Sequence, residues 1–202
     1  MTIIAFIRHG PTAWNAAKRL QGHTDVALSE AGRAEVNKWQ LPGRLDGANW
    51  FVSPLLRCVE TAQRIGVENP SFEPRLMEMT WGAWEGRTLA DLRANDPAGM
   101  EDVEAKGLDF HAPGGESPRM VQARVQPFLQ ERAAAGGTSG AVTHKGVIRA
   151  IYSLATGWPL LGKPPHKMNW ESAHFFRLDA DGMPHVERLC VPLVCDDVKD
   201  TG

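Results

Sequence analysis

Apolar residues along this chain fall into short unbroken runs, separated by stretches where they recur every third or fourth position. Residues 3–7 (IIAFI) form such a run, halted by Arg8-His9-Gly10-Pro11, and predict a buried strand ending in a loop. Residues 29–39 predict a helix with Ser29 as N-cap and Glu30 in its first turn. A second run at 50–52 precedes Ser53-Pro54, which reads as an N-cap plus a proline at the first helical position, opening a helix to about residue 65. Residues 72–76 suggest a short strand, and 89–95 a short helix closed by Asp96-Pro97. Residues 111–117, containing Pro113-Gly114-Gly115, predict a loop. Ser117-Pro118 repeats the cap-plus-proline start of a helix running to about residue 135. A third strand is expected at 140–143 and a helix at 147–154. Residues 173–178 and 184–189 predict a hairpin around Asp179-Ala180-Asp181-Gly182.

Strands alternating with helices imply an α/β domain with a mainly parallel sheet, whose ligands bind outside the carboxyl ends of the strands. Arg8-His9-Gly10 follows the first strand, Thr143-His144 follows another, and 53–57 opens a helix after a third. All three can meet at one sheet edge, which gathers two histidines and two arginines. Planar guanidinium groups match phosphate oxygens, and a neutral histidine is a competent nucleophile toward phosphorus. Phosphoryl transfer then needs a proton for the leaving oxygen, which a carboxylic acid supplies.

Composition narrows the field without choosing within it. The 202 residues fit one domain and bury enough surface to fold without disulfides or structural metal. A formal net charge of -2 argues against nucleic-acid binding by bulk electrostatics. Cys58, Cys190 and Cys195 read as reduced thiols, with a Cys190–Cys195 bridge open but unsupported. The opening apolar run is too short for a signal peptide and no run is long enough to span a bilayer, so the expected location is the cytoplasm. The seven histidines include no His-Glu-x-x-His or His-x-His spacing, so neither a metal nor another cofactor is expected.

The motifs Arg8-His9-Gly10-Pro11-Thr12-Ala13-Trp14-Asn15, 22–29 (GHTDVALS), 53–57 (SPLLR), Glu78, 82–86 (GAWEG), 113–117 (PGGES) and Thr143-His144 follow one another in order. Together they resemble the histidine phosphatase (phosphoglycerate mutase-like) superfamily over nearly the whole chain. The resemblance implies a three-layer αβα sandwich with a mostly parallel six-stranded sheet, in one domain over 1–202 with a lid-like insertion at about 76–117. It implies that His9 is the phosphorylated nucleophile and that Arg8, Arg57 and His144 bind the phosphoryl group. Glu78 becomes general acid and then general base, although Glu73 and Glu85 lie near it in sequence. Asn15, Gln21, Gly22 and Lys145 join the substrate-binding set. Asn15 has the alternative of closing a turn, and Lys145 that of facing solvent.

The chain departs from the family pattern at Lys145, where a glycine is common after the second histidine, and at Pro11, where many relatives carry a polar residue. The expected partner is a small phosphorylated metabolite, with a homodimer left open. A cofactor-dependent phosphoglycerate mutase, a silent phospho-ligand sensor and a metal hydrolase are the alternatives. The mutases carry an Arg-His-Tyr-Gly run after the acid, whereas Met79-Thr80-Trp81-Gly82 follows Glu78 here. Trp14, Met77, Met79, Trp81 and Trp84 either form an apolar wall for a ring-bearing leaving group or belong to the core.

Overall fold

The first apolar run becomes β1 (Thr2–Arg8), buried on both faces because its side chains alternate between two separate cores. Ile3, Ala5 and Ile7 pack on one side with Val36, Cys58 and Ala62, while Ile4 and Phe6 pack on the other with Val125, Phe128, Ile148 and Ile151. In this computed structural model, which describes residues 1–193, the sheet is therefore the middle of three layers. One helical layer contains α2 (Glu30–Val36) and α3 (Leu56–Arg64); the other contains α6 (Pro118–Ala135) and α7 (Lys145–Thr156).

The other strands are β2 (Asn49–Val52), β3 (Ser71–Phe72), β4 (Thr138–Thr143), β5 (Ser172–Leu178) and β6 (Pro184–Pro192), and the six-stranded order is β3-β2-β4-β1-β5-β6. β3, β2, β4 and β1 are mutually parallel; β5 runs antiparallel to β1, and β6 antiparallel to β5. Four carboxyl ends thus open onto one edge, and the register Arg8↔Thr143 brings His9 beside His144. A backbone bond from His9 N to the Thr143 carbonyl, 2.9 Å, continues the pairing past the strand ends.

Several sequence expectations need correction. Ser53 is not a helix cap: its Oγ lies 2.7 Å from His144 Nε2, and the N-cap of α3 is Leu55, with no capping side chain of its own. Asp25, from a distant loop, takes that job by accepting from Leu56 N at 2.7 Å, placing a carboxylate at the positive end of the helix. The strand expected over 72–76 is only Ser71–Phe72, because Pro74 starts a 3-10 turn (Pro74–Leu76) in which Glu73 accepts from Arg75 N. Two helices went unforeseen. α1 (Ala13–Ala16) is closed by a Thr12/Asn15 capping box, and α5 (Pro97–Glu104) is capped by Asp96 directly after α4 (Leu89–Asn95). Cys58 is buried and unbridged, and the Cys190–Cys195 question lies outside the described residues, which end at 193. Among the described residues, no helix is long and apolar enough to cross a membrane.

The segment after β3 carries Glu78 and is pinned from two directions. Thr143 Oγ1 donates to the Leu76 carbonyl at 2.7 Å, fixing the segment to the end of β4. Arg124 on α6 donates to the carbonyls of Arg75, Met77 and Glu78 and pairs with Glu116 at 2.8 Å. Glu116 in turn accepts from Thr80 N at 3.1 Å. Charge-assisted bonds of this kind contribute more than neutral ones, so Arg124→Met should cost about 2–3 kcal/mol in urea unfolding. Hydrogen exchange at the Met79 and Thr80 amides should rise more than in β1; equal protection in both places would show that Arg124 does not hold this segment.

Candidate active site

Each of the four parallel strands delivers one part of the site from its carboxyl end. β1 supplies Arg8 and His9, β4 supplies His144, β2 leads through Ser53 into Arg57 on α3, and β3 leads through the pinned turn to Glu78. The cavity they border, about 260 Å³, is lined by Arg8, His9, Asn15, Gln21, Gly22, Arg57, Glu78 and Lys145 among others. Its lining also holds Arg19 and Arg149, making five cationic side chains against one carboxylate, Glu78.

Arg57 is wholly buried, yet it makes no salt bridge among the described residues. Its Nη1 donates to the Thr24 carbonyl at 3.1 Å, its Nη2 to the Gly22 carbonyl at 2.7 Å, and its Nε to His144 Nδ1 at 3.3 Å. Neutral acceptors fix the plane of the group, and one N–H remains on each terminal nitrogen for a ligand. The chain can approach this closely only because residue 22 is glycine with φ +55°, where a Cβ would lie 1.9 Å from Glu85 Oε1. Arg8 is similarly unsatisfied, with a buried Nε lacking a partner, as has the Oε1 of Gln21. Burial lowers the Arg8 pKa, with Arg57 adding to the effect.

His9 is buried, and its Nδ1 lies 2.7 Å from the Gly10 carbonyl. A carbonyl only accepts, so Nδ1 carries the proton and Nε2 keeps the lone pair. Burial, then the charges of Arg8 and Arg57, hold His9 well below the usual histidine range, so it is neutral at neutral pH. His144 is also held low by burial and by Arg57, and it is completely enclosed. Because its Nδ1 accepts from Arg57, its Nε2 carries the proton and donates to Ser53 Oγ. The ring of His144 stands 5.2 Å from that of His9, centroid to centroid, but behind Arg57 rather than on the cavity wall.

The three neighbouring carboxylates separate by environment. Glu73 is paired with Arg75 at 2.6 Å, away from the cavity. Glu85 accepts from His23 N, Thr24 N, Thr24 Oγ1 and Trp81 N, so it ties two loops together. Glu78 alone lines the cavity, its oxygens held by Met79 N at 2.9 Å and Gly146 N at 3.2 Å. A side chain at Gly146 would displace this carboxylate, since its Cβ would lie 2.3 Å from Glu78 Oε1.

Asn15 uses its Oδ1 to close the turn at Thr12, so only its amide N–H groups are available to a ligand. Of the suspected apolar wall, Met79 and Trp81 line the cavity and are joined by Leu89 and Phe110; Trp14, Met77 and Trp84 are not on it. Sequence reasoning missed Arg19 and Arg149. For Arg149 a signal existed, because it falls one helical turn after Lys145 on the same face of α7. Among the described residues, no group of three or more His, Cys, Asp or Glu is clustered as a metal ion would require.

An excess of fixed cationic donors around a neutral histidine, at the carboxyl edge of a parallel sheet, defines a phosphate-type anion site in an α/β protein. The chain belongs to the histidine phosphatase superfamily (branch 1), whose family model matches residues 4–189. It is similar to phosphoglycerate mutase-like protein 4 of Arabidopsis thaliana, 32% identical over 161 residues, covering 75% of this chain and 70% of that one. It is also similar to glucosyl-3-phosphoglycerate phosphatase of Mycobacterium tuberculosis, 30% identical over 178 residues and 79% of each chain. A mycobacterial glucosyl-3-phosphoglycerate phosphatase solved with VO3 superposes with a TM-score of 0.75 at 26% identity, over 96% of this chain and all of that one.

The depressed histidines make stability depend on pH. Burial also lowers His174, to about 4. Unfolded histidines bind a proton near pH 6.5, whereas folded His9, His144 and His174 stay neutral below it. The unfolded chain therefore takes up more protons as pH falls, and stability is lost by up to about 1.4 kcal/mol per pH unit for each histidine. Urea unfolding of the anion-free protein should show this decline between about pH 6.5 and 5, with imidazole NMR signals of His9 and His144 remaining neutral. A flat profile with both rings titrating near pH 6.5 would contradict the burial argument.

Proposed function

We propose that the protein is a phosphomonoester hydrolase that passes a phosphoryl group from its substrate to His9 and then to water. The observation that carries this reading is the neutral His9, with its Nε2 lone pair free, on a cavity that also presents the uncompensated Arg8 and Arg57. Arg8, Arg57 and the Asn15 amide bind the phosphoryl oxygens. His144, behind Arg57 and off the cavity wall, orients that guanidinium. His9 Nε2 attacks phosphorus, the N–P bond forms as the ester P–O bond breaks, and Glu78 in its acid form protonates the leaving oxygen. Glu78 then takes a proton from water, which attacks the phosphohistidine and releases inorganic phosphate. No step calls for a metal, because the arginines supply the charge stabilisation.

Hydrolysis is favoured over mutase chemistry by the residues after Glu78. Met79 is buried in the core and Trp81 lines the cavity beside Phe110, so this stretch offers no cation or tyrosine to hold a phosphorylated carboxylate.

The test is phosphate release from p-nitrophenyl phosphate in EDTA, with His9→Ala expected to abolish it. Glu78→Gln should slow the first step for poor leaving groups by about 100-fold or more while sparing the initial burst of p-nitrophenolate, which needs little protonation. It should also slow hydrolysis of the phosphohistidine for every substrate alike. Isomerisation of phosphoglycerate primed by a bisphosphorylated glycerate would point to a mutase. Bound vanadate without any turnover would point to a sensor, and loss of activity in EDTA to a metal hydrolase.

A further inference from the structure

A second cavity, about 530 Å³, adjoins the first and shares Lys145 and Arg149 with it. Its wall is the start of α7 and the loop after it: Lys145, Arg149, Trp158, Lys163, Lys167 and Trp170, together with Pro164 and Met168. Four of these are cations and none is a carboxylate, in a chain whose net charge is -2. A solvated basic face is the plain reading of Lys163 and Lys167, which are exposed; Lys145 is exposed as well, but it and the half-buried Arg149 also line the first cavity.

Lys145 Nζ stands over the Trp170 ring at 5.2 Å, and the Arg149 guanidinium over Trp158 at 5.1 Å. Neither makes a salt bridge among the described residues. Each is partly desolvated, which lowers both pKa values, and Lys145 is lowered further by the charge of Arg149. Glu78, the one acid acting on both, has its oxygens bound by the Met79 and Gly146 amides. Two like charges held one helical turn apart on aromatic faces, with Glu78 the one carboxylate acting on them, repel each other and are relieved when an anion bridges them.

We infer that Lys145 and Arg149 form a second anion subsite at the junction of the two cavities, which selects phosphomonoesters whose leaving group carries a carboxylate or a second phosphate. This deepens the proposed hydrolase reading and rests on it for turnover. The tryptophans, Trp158 buried in the core and Trp170 half-buried, back the two cations and hold them at the junction. The subsite acts on the leaving group alone, because the transferring phosphoryl is already surrounded by Arg8 and Arg57.

Three aryl esters separate charge from shape: 4-carboxyphenyl phosphate, its neutral isostere 4-carbamoylphenyl phosphate, and the tetrahedral dianion 4-phosphonophenyl phosphate. Wild type should favour one or both anionic esters over the neutral amide by about tenfold or more in kcat/KM, the size expected for a charge-assisted contact. Preference for the carboxylate or the phosphonate tells which anion the subsite takes, and added salt should shrink it. In Lys145→Gln/Arg149→Gln the ratio should collapse toward one, whatever the absolute rate. Equal kcat/KM for all three in wild type, or a preference that survives the double substitution, would overturn the subsite. If wild type hydrolyses none of the three, the hydrolase reading fails instead. Calorimetric binding of the same compounds to His9→Ala then reads the subsite alone, with the same order expected and equal affinities counting against it.

Discussion

Arg57 is a full positive charge buried at the carboxyl edge of the sheet, held by two carbonyls and an imidazole and, among the described residues, by no carboxylate. An ion in such a place is expensive, and proteins ordinarily neutralise it with an acid. Here the surrounding structure works to keep it uncompensated. The glycine at 22 lets the backbone reach it, Ser53 accepts from the His144 behind it, and Asp25 is spent on the helix end at Leu56. The same charge, added to that of Arg8, keeps His9 neutral and so leaves it a lone pair. Electrostatics that would weaken an ordinary core thereby leave a neutral imidazole beside two uncompensated guanidinium groups, the arrangement on which the proposed phosphoryl transfer rests.

The sheet makes this economical in chain length. Four parallel strands end along one line, so four short peptide segments arrive within reach of one another without long loops. What the strands do not position, α6 does: Arg124 binds three successive-region carbonyls of the Glu78 segment and fixes the acid across the cavity from the strand ends. The residues between Leu76 and α6 contribute Met79, Trp81, Leu89 and Phe110 to the wall, so the apolar half of the cavity comes from outside the sheet.

Much of this was legible in the sequence. The run at residues 3–7, the Ser117-Pro118 helix start and the final hairpin carry strong local signals, and each forms close to its expected bounds. Arg8, His9, Arg57 and Glu78 border one cavity, as the coincidence of strand ends and motif order led one to expect. The failures share a cause, which is that a side chain's local options compete with distant ones. Ser53 reads as a cap until His144, 91 residues away, claims its hydroxyl. Glu73, Glu78 and Glu85 look alike in sequence, and only their partners Arg75, the Met79 and Gly146 amides, and the 23–24 loop distinguish them. Arg149 and Arg124 were missed because a single arginine on a helix reads as a solvated charge until the fold shows what it faces.

The central claim is that His9, kept neutral beside uncompensated arginines, accepts the phosphoryl group. The most direct measurement is to mix the protein with substrate, quench in alkali within the first turnover, and locate any phosphoryl adduct by peptide mass spectrometry. The account predicts an acid-labile, alkali-stable adduct on the peptide bearing His9, forming as fast as the leaving group is released. Phosphate released with no adduct at His9, or an adduct on another residue, would contradict it.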